Sequence, residues 1–467
     1  MRQSSPEQLS LMDVQAEQLL TFSDAERFLI EQLPSSEKKV FAGAEGMRRG
    51  LHLLERLGNP QEDYRSVHIA GTSGKGSVAH FLSELLIAHD HRVGTHVSPH
   101  MYDIRERFMI DQQLVAEAEF VEATRRLVPE TQAMNRTEFG RPTYLETTNA
   151  MAFHTFARHQ VDYAVIETGM GGLYDATNCI ARPDKLALIT KLGLDHVKRL
   201  GRTYREIAAQ KAGILPNQGE GIYLVPRLQT AHQAITETAA ARGTELRAVT
   251  PAMFQHVDVS TGGTRFDYRG SRQALPGLHL AAIGRHQAEN ASLALEALGH
   301  LAARDGWEVS ETACREALAR AVIPGRFEAR RHHDQLVIFD GAHNRQKMQA
   351  LLKTLDELDP VEPPVFLIAF RRTKQYAETI KPLVERAGQV VVTQCFNDRP
   401  YLGGLLAEPA ERIAETVHRL GLPAAETVTD PVAALDRACA LAKPRQLVVA
   451  TGSFYLLSEL NQAWADA

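Results

Sequence analysis

Cysteine is scarce in this chain. Only four occur in 467 residues, Cys179, Cys314, Cys395 and Cys439, and none forms a CxxC pair. That excludes a zinc ribbon or a thioredoxin-type motif and suits a reducing compartment. A dominant basic field is also missing. Lys and Arg total 52 against 57 Asp and Glu, a formal charge of −5, so nucleic acid is not expected as the main partner. No apolar run approaches the roughly 18 residues a membrane helix needs. The opening stretch, MRQSSPEQLSLMDVQAEQ, lacks the basic start and apolar core of a secretory signal. Together these absences predict a soluble cytoplasmic protein with no membrane partner.

What remains has the make-up of an ordinary globular protein, 44% hydrophobic and 23% charged. The length suits about three units of roughly 150 residues, or two larger domains. A body of this size buries about three quarters of its unfolded surface, so it needs no disulfide or metal staple. Two stretches alternate strand-like and helix-like segments, the pattern of α/β architecture with parallel sheets. In the first, strands are expected at Ser66–Ala70, Asp162–Glu167 and Leu186–Thr190. A helix is expected from Ser77, because Val78, Phe81, Leu82, Leu85 and Leu86 recur at helical spacing. Residues 244–272 read as an inserted β-hairpin, and a helix follows from Gly284 to Ala303. Ile323-Pro324-Gly325-Arg326 then punctuates the chain, placing a domain boundary near 322. Residues 1–322 would form one domain with an N-terminal extension, and 323–467 a smaller one with strands at Leu336–Phe339, Val365–Phe370, Gln389–Thr393 and Gln446–Ala450.

The strongest local signal is His68-Ile69-Ala70-Gly71-Thr72-Ser73-Gly74-Lys75-Gly76-Ser77, between a strand and a helix. Glycines let successive amides face an anion, the helix start adds partial positive charge, and the lysine adds a full one. The match to a strict Walker A is imperfect, since Gly76 separates Lys75 from Ser77; the plainer reading is a tight turn with an exposed lysine. Glu167 ends a strand, where parallel sheets place ligands, and is followed by Thr168-Gly169-Met170-Gly171-Gly172 and then Asp175-Ala176-Thr177-Asn178. One carboxylate beside a phosphate site suffices for Mg²⁺, which keeps much of its water; a turn former is the rival. His196 follows another β run and Lys211 lies on a predicted helix. Singly, each is more often structural or solvated.

Taken in order, AGTSGKGS, SPHMYDIRER, ETGMGGLYDATN, LDHVKRLGRTYREIAAQKAGI, GRHQAEN, PGRFE, FDGAHN and VATGSFYL resemble folylpolyglutamate synthase and dihydrofolate synthase, members of the ATP-dependent Mur ligases, from about Arg48-Arg49 to Glu459. The resemblance implies a P-loop ATPase domain followed by a Rossmann-like one. It implies that Thr72, Ser73, Gly74, Lys75, Gly76 and Ser77 hold ATP phosphates. Ser77, Ser98, Glu167 and His196 would serve Mg²⁺, and Lys211 would carry a carbamate for a second ion. Asn290, Arg326 and Asp340 match nucleotide contacts. Arg105, Arg107 and Asp175 are candidates for the acidic substrate, although a solvated loop explains the two arginines equally well. His343 and Asp340 are the candidate bases.

The reaction implied joins a pterin-linked carboxylate to the α-amine of L-glutamate through an acyl phosphate, with ATP as the third small-molecule partner and a monomer as the working form. The rivals are a Mur-type ligase for a non-folate acid and a P-loop kinase or NTPase without ligation. Four departures from the family pattern stand out: Ser73 in place of asparagine, Leu173 in place of arginine, Arg345 in place of proline, and FRRTKQY without the expected acidic pattern.

Overall fold

The computed structural model describes residues 15–33, 43–372, 376–395, 407–421 and 425–465. Residues 1–14, much of the expected N-terminal extension, and 373–375 of FRRTKQY lie outside that set. Seven strands form the first sheet: β1 (Arg65–Ala70), β2 (Val93–His96), β3 (Met109–Ile110), β4 (Tyr163–Glu167), β5 (Leu186–Ile189), β6 (Glu220–Leu224) and β7 (Glu245–Val249). Their order is β3-β2-β4-β1-β5-β6-β7, and only β3 pairs antiparallel. Helices cover both faces, so the central strands carry unbroken apolar runs such as Leu186-Ala-Leu-Ile189, all buried. The helix Lys75–Ile87 packs against the long helix Arg285–Asp305, which is buried for most of its length.

Strands β8 (Phe254–Ser260), β9 (Gly263–Arg269) and β10 (Ala274–Leu280) make a separate antiparallel sheet. The stretch 244–272 is therefore not one inserted hairpin. Its first strand, β7, completes the main sheet by pairing parallel with β6, and only β8 and β9 form a hairpin, extended by β10. β7 has an edge strand's half-exposed pattern, which in sequence looks like hairpin material.

The third sheet contains β11 (Glu328–His332), β12 (Gln335–Asp340), β13 (Val365–Ile368), β14 (Gln389–Val392), β15 (Ala425–Thr427) and β16 (Val448–Thr451), in the order β11-β12-β16-β13-β14-β15. β11 is its antiparallel edge. The main-sheet core includes Ile323, whereas Phe327 packs with Ile338 and Phe366 in the C-terminal lobe. Contacts also cross between lobes. Met101 packs with Val337 and Phe339, Ile283 joins the core around Phe327, and Arg330 Nη2 donates to the Tyr102 hydroxyl at 3.2 Å. The C-terminal ends of β1, β4 and β12 thereby face a common crevice.

Candidate active site

The chain leaves β1 at Ala70 and turns through Gly71-Thr72-Ser73-Gly74 into the helix Lys75–Ile87. Space dictates two of these glycines. A Cβ on Gly71 would lie 1.8 Å from Thr190 Oγ1; one on Gly74, where φ is +90°, would lie 2.3 Å from Asn290 Oδ1. The turn is fixed from outside, because the Thr72 and Ser73 amides donate to the Lys191 carbonyl at 2.9 and 3.2 Å. The Thr72 hydroxyl donates to the Gly193 carbonyl and accepts from the Gly193 amide, each at 3.0 Å. The first bond within the helix runs from the Val78 amide to the Gly74 carbonyl at 2.9 Å. The amides of Lys75, Gly76 and Ser77 thus stand at the helix end, where an anion is favoured. Lys75 Nζ donates to the Gly71 carbonyl at 3.3 Å and lies 3.5 Å from Glu167 Oε1.

Glu167 ends β4 opposite Ile69 of β1, and its Oε2 accepts from the Ser98 amide at 3.2 Å. Asp175 is buried and organises the following loop by accepting from the Met170 and Thr177 amides, at 2.7 and 3.0 Å, and from the Thr177 hydroxyl. Lys211, only 3% exposed, donates to the Gly71 carbonyl at 2.7 Å, sharing that oxygen with Lys75. Burial, and then the Lys75 charge, pulls its amine down to about 7. His196 sits in a left-handed turn with φ +49° and is exposed, its amide bonded to Asp195 Oδ1 at 2.9 Å. Desolvation by the cleft, followed by Lys211, Lys75 and Lys347, lowers its imidazole pKa, and Asp195 opposes them.

From the other lobe, Glu328 Oε2 accepts the Gly325 amide at 2.9 Å, and the Gly341 amide donates to the Gly325 carbonyl at 2.9 Å. This turn presents the Arg326 guanidinium 4.5 Å from the Phe454 ring centroid. Asp340 ends β12 and accepts from the Phe327 and Ala342 amides, both at 2.9 Å. Desolvation raises its carboxyl to about 6, with Arg326 pulling the other way. His343 Nδ1 lies 2.8 Å from the Gly341 carbonyl, which can only accept, so that nitrogen carries the proton and Nε2 faces Lys347 Nζ at 3.3 Å. Desolvation and then Lys347 lower this imidazole to about 3.

These groups line a cavity of about 550 Å³ between the lobes. It brings together Thr72, Ser73, Gly74, Lys75, Gly76, Ser77, Ser98, Glu167, His196, Asn290, Arg326, Asp340 and His343. Lys211 and Asp175 stand behind the lining. Arg105 is not among the lining residues. Its guanidinium is engaged by Asp103, at 2.7 Å from Nη2, and by the Val115 carbonyl at 3.1 Å, and it lies 5.0 Å from the Phe22 ring centroid. Arg107 is also outside the lining and acts at one remove, donating to His100 Nδ1 at 2.9 Å while His100 reaches the cavity.

Sequence reading missed Asp195, His286, Gln287 and Lys347, which also line the cavity. The first three fall inside motifs already singled out, but Lys347 has no motif of its own. Among the described residues, one group of three His, Cys, Asp or Glu side chains is close enough to share an ion: His332, His333 and Asp436. It sits beside the start of β12, whereas Asp340 and the cavity are at that strand's end. Among the described residues no helix is long and apolar enough to cross a membrane.

Comparison with known proteins agrees with this geometry. The Mur ligase middle domain matches residues 69–298, and the Mur ligase glutamate ligase domain matches residues 325–454. Dihydrofolate synthase/folylpolyglutamate synthase of Bacillus subtilis is 32% identical over 72% of this chain and 78% of its own length. Folylpolyglutamate synthase of Lacticaseibacillus casei is 31% identical over 89% of this chain and 93% of its own. In structure, Mycobacterium tuberculosis folylpolyglutamate synthase complexed with ADP aligns with a TM-score of 0.83 and 28% identity, covering 95% of this chain and 98% of that one. This chain belongs to the folylpolyglutamate synthase and dihydrofolate synthase family of the Mur ligases.

Proposed function

We propose that this cleft joins a folate-type carboxylate, on dihydropteroate or a tetrahydrofolate glutamate tail, to the α-amine of L-glutamate, using ATP to make an acyl phosphate. The observation that carries this reading is the facing of two unlike walls across one cavity: a main-chain anion cradle at Gly74–Ser77 and, opposite, Arg326 and Asp340. A carboxylate resists amines because oxide is too poor a leaving group. An oxygen of the acceptor carboxylate attacks the γ-phosphorus, and the bond from that phosphorus to the bridging oxygen breaks, so ADP leaves. The amides of Lys75 to Ser77, the Lys75 ammonium and Arg326 meet the charge on the transferring group. The amine then attacks the acyl carbon, and phosphate departs with an oxygen that began in the carboxylate. Of the two candidate bases, Asp340, at about 6, takes a proton more readily than His343, at about 3.

Mg²⁺ suits the donors present. The Glu167 carboxylate is buried beside the cradle, and its nearest cation, Lys75, stands off at 3.5 Å, leaving oxygen lone pairs for an ion. Glu167, with Ser77, Ser98 and His196 around it, would hold the metal, which supplies Lewis-acid charge neutralisation to the phosphates when bound. Lys211 fits a carbamate because CO₂ adds only to a neutral amine, and this one is held near neutrality. Carbamate formation in ¹³C-bicarbonate should appear as a carbonyl resonance that Lys211→Met lacks and that fades below about pH 7. Its absence from the active enzyme would remove the second metal ligand.

We assign ATP binding to residues 1–322 and glutamate delivery to 323–467, in a monomer. The deciding assay is ADP release with dihydropteroate and tetrahydrofolate supplied separately, each with and without glutamate. The expected outcome is release that needs both an acceptor and glutamate, with oxygen-18 from the acceptor carboxylate recovered in phosphate. Release without glutamate would make the protein a plain NTPase. Label retained in the acid would exclude the acyl phosphate.

A further inference from the structure

One segment of the cleft runs on past the FDGAHN motif: Arg345-Gln346-Lys347, where Arg345 departs from the family pattern. The Asn344 side chain caps the helix Arg345–Leu358 by accepting the Lys347 amide at 3.0 Å. Lys347 lies in the first turn and lines the cavity. Its neighbour Gln346 packs its side-chain end against Gly193 of the other lobe. A Cβ on Gly193 would lie 2.2 Å from Gln346 Oε1, and Gly193 is held through both its amide and its carbonyl by the Thr72 hydroxyl of the phosphate loop. One contact from this C-terminal helix thus reaches a residue bonded directly to the cradle of the other lobe.

The electrostatics point the same way. After desolvation, the groups that pull the Lys347 amine down to about 7 are Arg326 and Lys75, while Asp195 and Glu167 oppose them. All four line the same cavity as the cradle. The side chain's hydrogen-bond partner is the His343 imidazole at 3.3 Å, a neutral acceptor. A phosphate oxygen is a stronger one, because it carries negative charge and so attracts the ammonium as well as accepting its hydrogen bond.

We propose that Lys347 is a second lysine of the phosphoryl site, reaching from the C-terminal lobe to the terminal phosphoryl group that Lys75 meets from the opposite wall. It forms no covalent bond. Its ammonium balances negative charge on the γ-phosphate, then on the acyl phosphate and the departing phosphate, and His343 orients it. The inference rests on the ATP-dependent reading above and adds a residue to it.

The test compares the full-length protein with Lys347→Met and Lys347→Arg, using AMPPCP and ADP as binding probes alongside steady-state kinetics. Lys347→Met should weaken AMPPCP by about tenfold, ADP by less than about twofold, and lower kcat at least about tenfold. Lys347→Arg should recover most of both. Equal weakening of AMPPCP and ADP, no change in either, or an effect confined to the KM for glutamate would overturn the proposal. A lowered melting temperature in Lys347→Met that Lys347→Arg does not share, with AMPPCP and ADP binding affected equally, would mark a structural role instead. Wild-type ADP release independent of glutamate would sink the ligase reading, yet the AMPPCP and ADP comparison would still report on Lys347.

Discussion

The two walls of the cleft are built on different principles. On the middle-domain wall the backbone does the binding, and its shape is enforced by contact. Gly71 abuts Thr190, Gly74 abuts Asn290, and Gly172 lies so close to the Gln210 and Lys211 carbonyls that a Cβ would meet them at 2.7 and 2.8 Å. Such dipoles are oriented before substrate arrives and cost little reorganisation. The C-terminal wall instead relies on side chains whose protonation burial has shifted: Asp340 raised to about 6, Lys347 lowered to about 7 and His343 lowered to about 3. One wall is fixed by shape. The other is set by protonation, so the two should break in different ways.

The largest effect belongs to Lys75, the full charge on the shape-fixed wall. Lys75→Ala should lower turnover by at least about a hundredfold, as losing a preorganised phosphoryl stabiliser does. Near-normal ADP formation would refute the cradle assignment. Next comes Gly74→Ala, which adds no charge and removes none. The methyl would lie 2.3 Å from Asn290 Oδ1 on a backbone at φ +90°, so nucleotide affinity should fall about tenfold and stability by about 1–3 kcal/mol. Both are read by ADP titration and thermal melting. If Gly74→Ala bound ADP normally, the wall would be more pliable than its contacts imply.

The same contrast explains what could be read from the sequence. The phosphate loop was legible because its glycines, lysine and helix start are contiguous, and each residue's chemistry is local. Central strands β4, β5, β13, β14 and β16 were legible because burial on both faces demands apolar runs. Edge strands were not. β11 reads Glu-Ala-Arg-Arg-His and looks like a polar loop, while β10 carries Pro276 and Gly277 at a register shift between Leu275 and Leu278. For Arg105 the sequence shows the cation but not what it bonds. The structure gives that guanidinium to Asp103, only two residues away. Lys347 was invisible for the opposite reason, since its role depends on Gln346 meeting Gly193 from the other lobe, about 150 positions earlier in the chain.

The smallest effect probes the protonation-set wall directly, through a contest at Asp340 between desolvation and Arg326. Desolvation is the larger cause, and it raises the carboxyl to about 6 from its ordinary value of 3.8. Between those two values the folded protein holds a proton that the unfolded chain has released. The stabilisation is therefore complete below about pH 4 and is lost as pH rises to about 6. Asp340→Asn removes this titration. It also leaves one of the Phe327 and Ala342 amides poorly matched, because an amide side chain has one acceptor oxygen where the carboxylate has two. That second loss is the same at every pH, so the slope carries the information. The melting temperature of Asp340→Asn minus that of wild type should climb from pH 4 to pH 6 and then level off. A flat difference from pH 4 to pH 6 would mean the carboxyl is not raised. A difference that instead falls as pH rises through the range below about pH 4, and is level above it, would mean that the Arg326 charge outweighs desolvation, and that this wall is held by a settled ion pair, as firmly fixed as the cradle it faces.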